Sequence, residues 1–489
     1  MAITPPWPKP LPYTANLFRR LARGWTSWFG LLNEWDFRIA LGELNLLGLR
    51  VFLVNDRALV RRVLVEEVEN FPKHPYTLWI LEPLIGRAIF SVNGEEWARQ
   101  RRLIDQAFQA AQLERVYPAM AAATHAMLER LDQELAQQTD VKQGAVVDIE
   151  AAMTWVTADV IVRTILGRPL QAGEAREVVA AFGRYQRKAA RALVMRFLRL
   201  PRRWVQRSLK RDAGVIRRWI QQTIQERLAA PEAGGEDLLA YLMTAMDPVS
   251  GTSFSAEELV DQVCFLFLAG HETSASALSS ACWLLALDPS SQHRLRTEVD
   301  GVAEEGSLAP ECLRRLHYGA AVFQETLRLY PPMSFVIRER QSAETTLQVS
   351  RNLENHREAH QEPSQNQQVS RCPVGSLLTL SPWVIHRHED HWPEPNQFRP
   401  ERFLLDSSTA EERRLSREAW LPYGLGPRKC PGAAFAQQEA LLVLAELIGR
   451  YKLLPVNEGM GPEWVGRLTL RSANGVRLRV VKRRRCREL

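Results

Sequence analysis

Residues 421–432 read Leu421-Pro422-Tyr423-Gly424-Leu425-Gly426-Pro427-Arg428-Lys429-Cys430-Pro431-Gly432, and a helix-forming run over 433–447 follows them. Cys430 therefore stands at a helix start. Backbone N–H groups and the dipole at a helix amino terminus favour a thiolate, Arg428 and Lys429 add positive charge, and Pro431 suits a first helical turn. A cysteine is ordinarily a small buried hydrophobe, the reading that suits the other five, at 264, 282, 312, 372 and 486. They form no CxxC pair and no zinc spacing, which argues against a disulfide framework and for a reducing compartment.

Upstream, the longest helical candidate begins at Ser255, whose side chain can cap it with Glu258 three residues on, and runs to Asp288 before Pro289 stops it. At about 32 residues it is roughly 48 Å long, enough to traverse a domain. Positions 263–269 are Val, Cys, Phe, Leu, Phe, Leu and Ala, so this part should be buried on all sides. Gly270, His271, Glu272, Thr273 and Ser274 come next and put a polar cluster into a core.

Apolar residues at three-to-four spacing predict further helices over 113–137, 149–166, 213–229 and 311–330, whereas strand signals are confined to 49–54, 376–380 and 475–481. The fold class is mainly α with small β-sheets. Over 351–368 only Leu353 and Ala359 are hydrophobic, and Gln348-Val349-Ser350-Arg351 recurs as Gln368-Val369-Ser370-Arg371. We read a polar loop insertion in a hairpin near 351–370.

With 489 residues, 46% hydrophobic and 24% charged, the chain lies in the globular range and can bury a large core. Its net charge of +7 is local: thirteen Lys or Arg against Asp212 over 184–218, and seven against Glu488 over 477–489. These stretches read as solvated faces, and no nucleic-acid module accompanies them. No apolar run approaches the roughly 20 residues of a transmembrane segment, and the proline-rich amino terminus lacks a signal-peptide core, so a soluble, cytoplasmic protein is expected. Residues 17–32 mix Arg19, Arg20 and Arg23 with Trp25, Trp28 and Phe29 and read as a packed amphipathic helix, with peripheral membrane contact as the alternative.

Residues 421–432 resemble the haem-binding loop of the cytochrome P450 superfamily, Phe-x-x-Gly-x-Arg-x-Cys-x-Gly, in Tyr423, Gly426, Arg428, Cys430 and Gly432. Other motifs of that family follow in order. Glu325-Thr-Leu-Arg328, then Pro331-Pro332, Trp392-Pro-Glu-Pro395 and Phe398-Arg-Pro-Glu-Arg402 resemble its structural Glu-Arg-Arg set, Glu325, Arg328 and Arg402. Trp97-x-x-x-Arg101 resembles its propionate-binding helix motif, and Arg338 and Arg428 match the other propionate positions. Ala269-Gly-His-Glu-Thr273 resembles its oxygen-activation motif, in which Glu272 and Thr273 would relay protons toward dioxygen. Glycine in a helix interior costs about 1 kcal/mol relative to Ala, and room for dioxygen is the expected gain at Gly270. Thr273 is expected to back-bond to the carbonyl of Ala269.

The resemblance implies the cytochrome P450 fold of the bacterial soluble type, in one domain over 1–489, with haem b held by the Cys430 thiolate as metal ligand and O2 as co-substrate. It implies a monooxygenase that inserts one oxygen atom into a hydrophobic substrate contacted by Phe267, Ala269 and Phe335. Electrons would come from a ferredoxin or flavodoxin with its reductase, docking near Arg102 and Lys429. Two alternatives are a haem-thiolate enzyme that uses peroxide or rearranges an oxygenated substrate, and a non-enzymatic haem sensor or carrier.

Overall fold

The computed structural model describes residues 3–46, 48–108, 110–137, 144–198, 200–229, 237–302, 308–343, 345–350, 367–457 and 461–483. The helix Ala256–Leu287 is its axis. The Ser255 hydroxyl accepts from the Glu258 amide at 3.2 Å while the Glu258 carboxylate accepts from the Ser255 amide at 2.8 Å, the reciprocal cap read from the sequence. Its most extensive neighbour is the helix Ile149–Leu166. The two approach closely at Gly270, where a Cβ would lie 2.2 Å from Cδ1 of Ile161. Close packing of the two helices therefore requires glycine here.

The helices Ala172–Phe197 and Arg202–Ala229 pack on each other, and His317–Leu329 and Ala433–Arg450 pack against the axis. Arg202–Ala229 starts eleven residues before the expected 213, because Arg202, Arg203, Arg207, Lys210 and Arg211 dilute the apolar pattern there. The expected 311–330 helix is two, Pro310–Arg314 and His317–Leu329. Leu316 between them leaves the helical conformation at ψ 68° and is 1% exposed. Residues 17–32 hold only a short helix, Leu17–Gly24, followed by a 3₁₀ turn, Trp28–Leu31. Trp28 and Phe29 are buried, Phe29 stacking on Trp383 at 4.1 Å, so they belong to the core and not to an interfacial face.

A four-stranded sheet runs Leu41–Leu46, Leu49–Val54, Leu377–Leu380, Val336–Glu339. Its central pair is parallel, Val51 opposite Leu377, and the outer pairs are antiparallel. Arg477–Lys482 lies between Ala145–Asp148 and Tyr451–Pro455 in a second, antiparallel sheet. Trp464–Gly466 pairs with Leu470–Ser472, and Thr345–Ser350 with Gln367–Cys372. The latter hairpin ends at the pair Ser350 and Gln367, and residues 351–366, most of the expected insertion, lie outside the described residues. Among the described residues no helix is long and apolar enough to cross a membrane.

Candidate active site

The Cys430 loop is closed by its own backbone: the Cys430 amide donates to the Tyr423 carbonyl at 2.9 Å and the Lys429 amide to that of Gly426 at 3.0 Å. Gly426 has φ +72°, and a Cβ there would lie 2.2 Å from the Leu64 carbonyl oxygen, so both conformation and space require glycine. Gly432 caps the helix Ala433–Arg450, and its amide faces the Cys430 sulfur. The protein around the thiol pushes its pKa up, and the Gly432 amide, Arg101 and Lys429 offset only part of that. The helix start and the two cations thus act in the direction the sequence reading gave them, toward the thiolate. Cys430 is itself accessible. Tyr423 serves the loop through its carbonyl; burial and the nearby Cys430 and Glu439 keep its hydroxyl protonated.

Beside this loop lie Arg338, Arg428 and Lys73, and among the described residues no carboxylate is within ion-pair distance of them. Arg338 is 9% exposed and its Nε has no hydrogen-bond partner; Nε and Nη1 of Arg428 are likewise buried without partners. Burial, and then the Arg428 charge, lower the Arg338 pKa to about 9. Lys73, which the sequence reading missed, joins them: it is buried, its Nζ donates to the carbonyls of Ile89 and Val92, and burial and the neighbouring Arg428, Arg338 and Arg101 depress its pKa strongly. Trp97 lies under the Arg428 guanidinium, 5.4 Å from it. Arg101 is more committed than expected, pairing with Asp105 at 2.7 Å and donating to the Lys429 carbonyl at 2.5 Å, and so braces the Cys430 loop. Buried guanidinium N–H groups of one sign, unpaired, fit a dianionic ligand such as a pair of propionates.

Between Leu259 and Ala286 the axial helix is buried except at Phe265, Leu268, Ala269, Gly270 and Thr273. This stripe faces the same region: the Phe265 ring stacks on Phe90 at 5.7 Å, and Phe90 lies under Lys73. Thr273 Oγ1 donates to the Ala269 carbonyl at 2.6 Å, as expected. Phe267 is not on the stripe. Two residues turn a helix by about 200°, so Phe267 points away from Ala269, is 3% exposed and packs on Trp219. Phe265 replaces it as the aromatic of this face. Phe335 is half-buried against Trp28 and Phe29.

Glu272 is buried beside the stripe and held on several sides. Arg471 pairs with it at 2.9 Å, His271 Nε2 lies 3.4 Å away, Thr469 donates at 3.2 Å and Gln186 also donates. Burial alone would raise its pKa; Arg471 and then His271 outweigh it and hold the carboxyl at about 2. His271 is fully buried against Phe182 and Phe267, and its Nδ1 lies 2.6 Å from the Phe267 carbonyl.

Glu325, Arg328 and Arg402 form a buried set. Arg328 grips Glu325 through Nε at 2.6 Å and Nη2 at 2.8 Å, and donates to the carbonyls of His386, Pro395 and Gln397. Arg402 approaches Glu325 at 3.5 Å and donates to the Glu394 carbonyl. His386, unforeseen in the sequence, ties this set to the Cys430 loop: its Nδ1 meets the Arg328 carbonyl at 3.0 Å, and its Nε2 accepts from the Leu421 amide at 2.8 Å. Arg102 is paired with Asp247 and Glu95, whereas among the described residues no carboxylate is within ion-pair distance of Lys429.

Residues 5–348 and 366–473 match the family model for Cytochrome P450. The chain belongs to the cytochrome P450 family. Cyclooctatin synthase of Streptomyces melanosporofaciens is 29% identical over 382 residues, 77% of this P450 and 74% of that protein. Cyclooctat-9-en-7-ol 5-monooxygenase of the same organism is 29% identical over 378 residues, 76% and 74% of the two chains. The retinoic acid bound cyanobacterial CYP120A1 shares the fold, with a TM-score of 0.73 over 91% of this chain and 92% of that one at 24% identity. This P450 is a haem monooxygenase, and the family's haem is held by a cysteine thiolate. The match leaves out residues 349–365, which take in most of the polar stretch.

Proposed function

We propose that Cys430 is the thiolate ligand of a haem b whose propionates pair with Arg338, Arg428 and Lys73, and that a hydrophobic substrate is oxidised against the stripe Phe265, Leu268, Ala269 and Thr273. The observation that carries this reading is that stripe, the accessible part of a helix otherwise buried over its middle, facing the region of the unpaired cations. When bound, the haem supplies the redox chemistry by which dioxygen is split and one of its atoms inserted, the other leaving as water. The chain's own residues hold and move the protons. Thr273 presents a hydroxyl beside Ala269, and Glu272, ionised and one residue away, accepts protons and passes them on when its pairing with Arg471 loosens. The apolar stripe excludes water from the substrate face, and Phe335 completes the wall from the chain after Pro331-Pro332.

Electrons come from a separate ferredoxin or flavodoxin with its reductase, meeting the face that carries Lys429. The similarity to cyclooctatin synthase and to cyclooctat-9-en-7-ol 5-monooxygenase of Streptomyces melanosporofaciens supports a hydrophobic organic substrate. The absorption spectrum of the reduced protein with carbon monoxide tests the ligand. A thiolate-type Soret band in wild type that is lost in Cys430→His is expected; an imidazole-type band in wild type would overturn the assignment.

A further inference from the structure

A cleft of about 510 Å³ lies outside the stripe, and neither Ala269 nor Thr273 belongs to its walls. One wall is the helix Ala172–Phe197, which sets Arg176, Val179 and Arg187 on one face with Gly183 between them. A Cβ at Gly183 would meet nothing nearer than Arg187 Nη1 at 3.7 Å, so the absent side chain widens this wall. Ala151 and Trp155 of the helix Ile149–Leu166, Arg467, Arg471 and the buried Glu272 and Gln186 also line it.

Its charges do not balance. Five guanidiniums, of Arg130, Arg176, Arg187, Arg467 and Arg471, meet three carboxylates, of Asp148, Glu150 and Glu272. Arg471 takes Glu150 at 3.3 Å and Glu272 at 2.9 Å, and Asp148 is turned to the Ala151 amide as a helix cap. Arg130 lies over the Trp155 ring at 4.3 Å. Among the described residues no carboxylate is within ion-pair distance of Arg176, Arg187 or Arg467. Arg467 is half-buried, and burial and then the charge of Arg187 lower its pKa, with Arg191 and Arg471 adding to this and Glu150 offsetting part of it. A guanidinium so placed is relieved by an oxyanion, and planar guanidiniums bind one through paired, charge-assisted hydrogen bonds.

We propose that this cleft is a second ligand site, for an organic anion whose carboxylate or phosphate group lies between Arg187 and Arg467 and whose apolar body rests on Val179 and Trp155. Its lining meets the oxidation site only at Glu272, which Arg471, Gln186 and Thr469 hold, and shares no residue with the apolar stripe.

Laurate, its methyl ester and inorganic phosphate are suitable probes, titrated calorimetrically into the holoenzyme saturated with 4-phenylimidazole. The azole's own Soret shift verifies the haem site separately, so failure of the cleft and failure of the haem assignment are distinguishable. Laurate is expected to bind with the azole present, about tenfold more tightly than its ester, and about tenfold less tightly to Arg187→Gln/Arg467→Gln. Competition by the azole, equal affinity of the ester, or unchanged affinity of the double variant would overturn the site. Phosphate binding as tightly as laurate would overturn the organic ligand. The comparison of laurate with its ester needs no variant and decides the matter if the double variant does not take up haem.

Discussion

Glu272 shows how one residue's role depends on its partners. It is fully buried, which by itself favours the neutral acid, yet Arg471 and His271 hold it ionised with a pKa of about 2. In Arg471→Gln the burial cost is no longer offset and the pKa rises. If ionised Glu272 passes protons, the variant loses turnover at a higher pH on acidification than wild type does, and Glu272→Gln loses about 10²-fold in turnover at all pH values. Turnover against pH with constant substrate binding checks both; coincident acid limbs would remove Glu272 from the relay. Glu439 has the opposite setting. It is fully buried on the helix after Cys430, neither carboxyl oxygen has a hydrogen-bond partner, Ser274 is its polar neighbour, and burial pushes its pKa up to about 8. Between pH 4.5 and about 8 the folded chain holds a proton there that the unfolded chain has released. Stability therefore falls as pH rises through this window, by up to about 1.4 kcal/mol per unit. Glu439→Gln should flatten that slope in denaturant melts between pH 5 and 8, and an unchanged slope would show Glu439 to be ionised. Neither partnership was legible in the sequence: Arg471 lies 199 residues from Glu272, and Lys73 and His386 carry no local pattern, acquiring their roles from what the fold brings to them. Cys430, Arg338 and Arg428 were legible because their chemistry is written into the motifs around them.

At the scale of elements, regular spacing was read well and its interruptions poorly. The axial helix was legible end to end because its caps and its apolar middle agree, and Ile149–Leu166 for the same reason. The break at Leu316 was not, since a buried leucine suits either a helix or the turn that ends it. The family resemblance points to Phe267 for the substrate face, whereas helical geometry puts Phe265, four residues before Ala269, on the side of Ala269. The contact at Gly270 yields a quantitative expectation. Gly270→Ala sets a methyl group against Ile161, and overpacking of this kind costs about 1–3 kcal/mol, more than the helix propensity of alanine returns. Pairing it with Ile161→Ala should recover a large part of that loss relative to Ile161→Ala alone. A double-mutant cycle from thermal melts would show a coupling of about 1 kcal/mol or more; additivity would mean that the helices separate freely and that Gly270 has another purpose.

The whole molecule consists of a scaffold that the family motifs span and a stretch that they do not. The hairpin Thr345–Ser350 with Gln367–Cys372 pairs through six residues on each side, and Leu347, Val349 and Cys372 are buried, so its register is fixed from the core end. The family match stops at 348 and resumes at 366, and the composition between them is too polar to fill a core. Joining Ser350 to Gln367 by Asn-Gly, a pair suited to a two-residue hairpin turn, would close the ladder at its last registered pair. Going from a sixteen-residue connection over 351–366 to two is three halvings of loop length, which lowers the closure entropy by about 2 kcal/mol in favour of folding. The shortened protein should therefore keep its carbon monoxide spectrum and melt no lower than wild type. A melting temperature lowered by more than about 5 °C, which for a chain of this size is a loss above 1 kcal/mol, would mean that residues 351–366 contribute contacts to the folded body. Loss of haem with melting unchanged would instead give them a part in forming the site, and the hairpin's neighbours Arg62 and Glu67, which bind Thr345 and Arg340, would be where that influence enters.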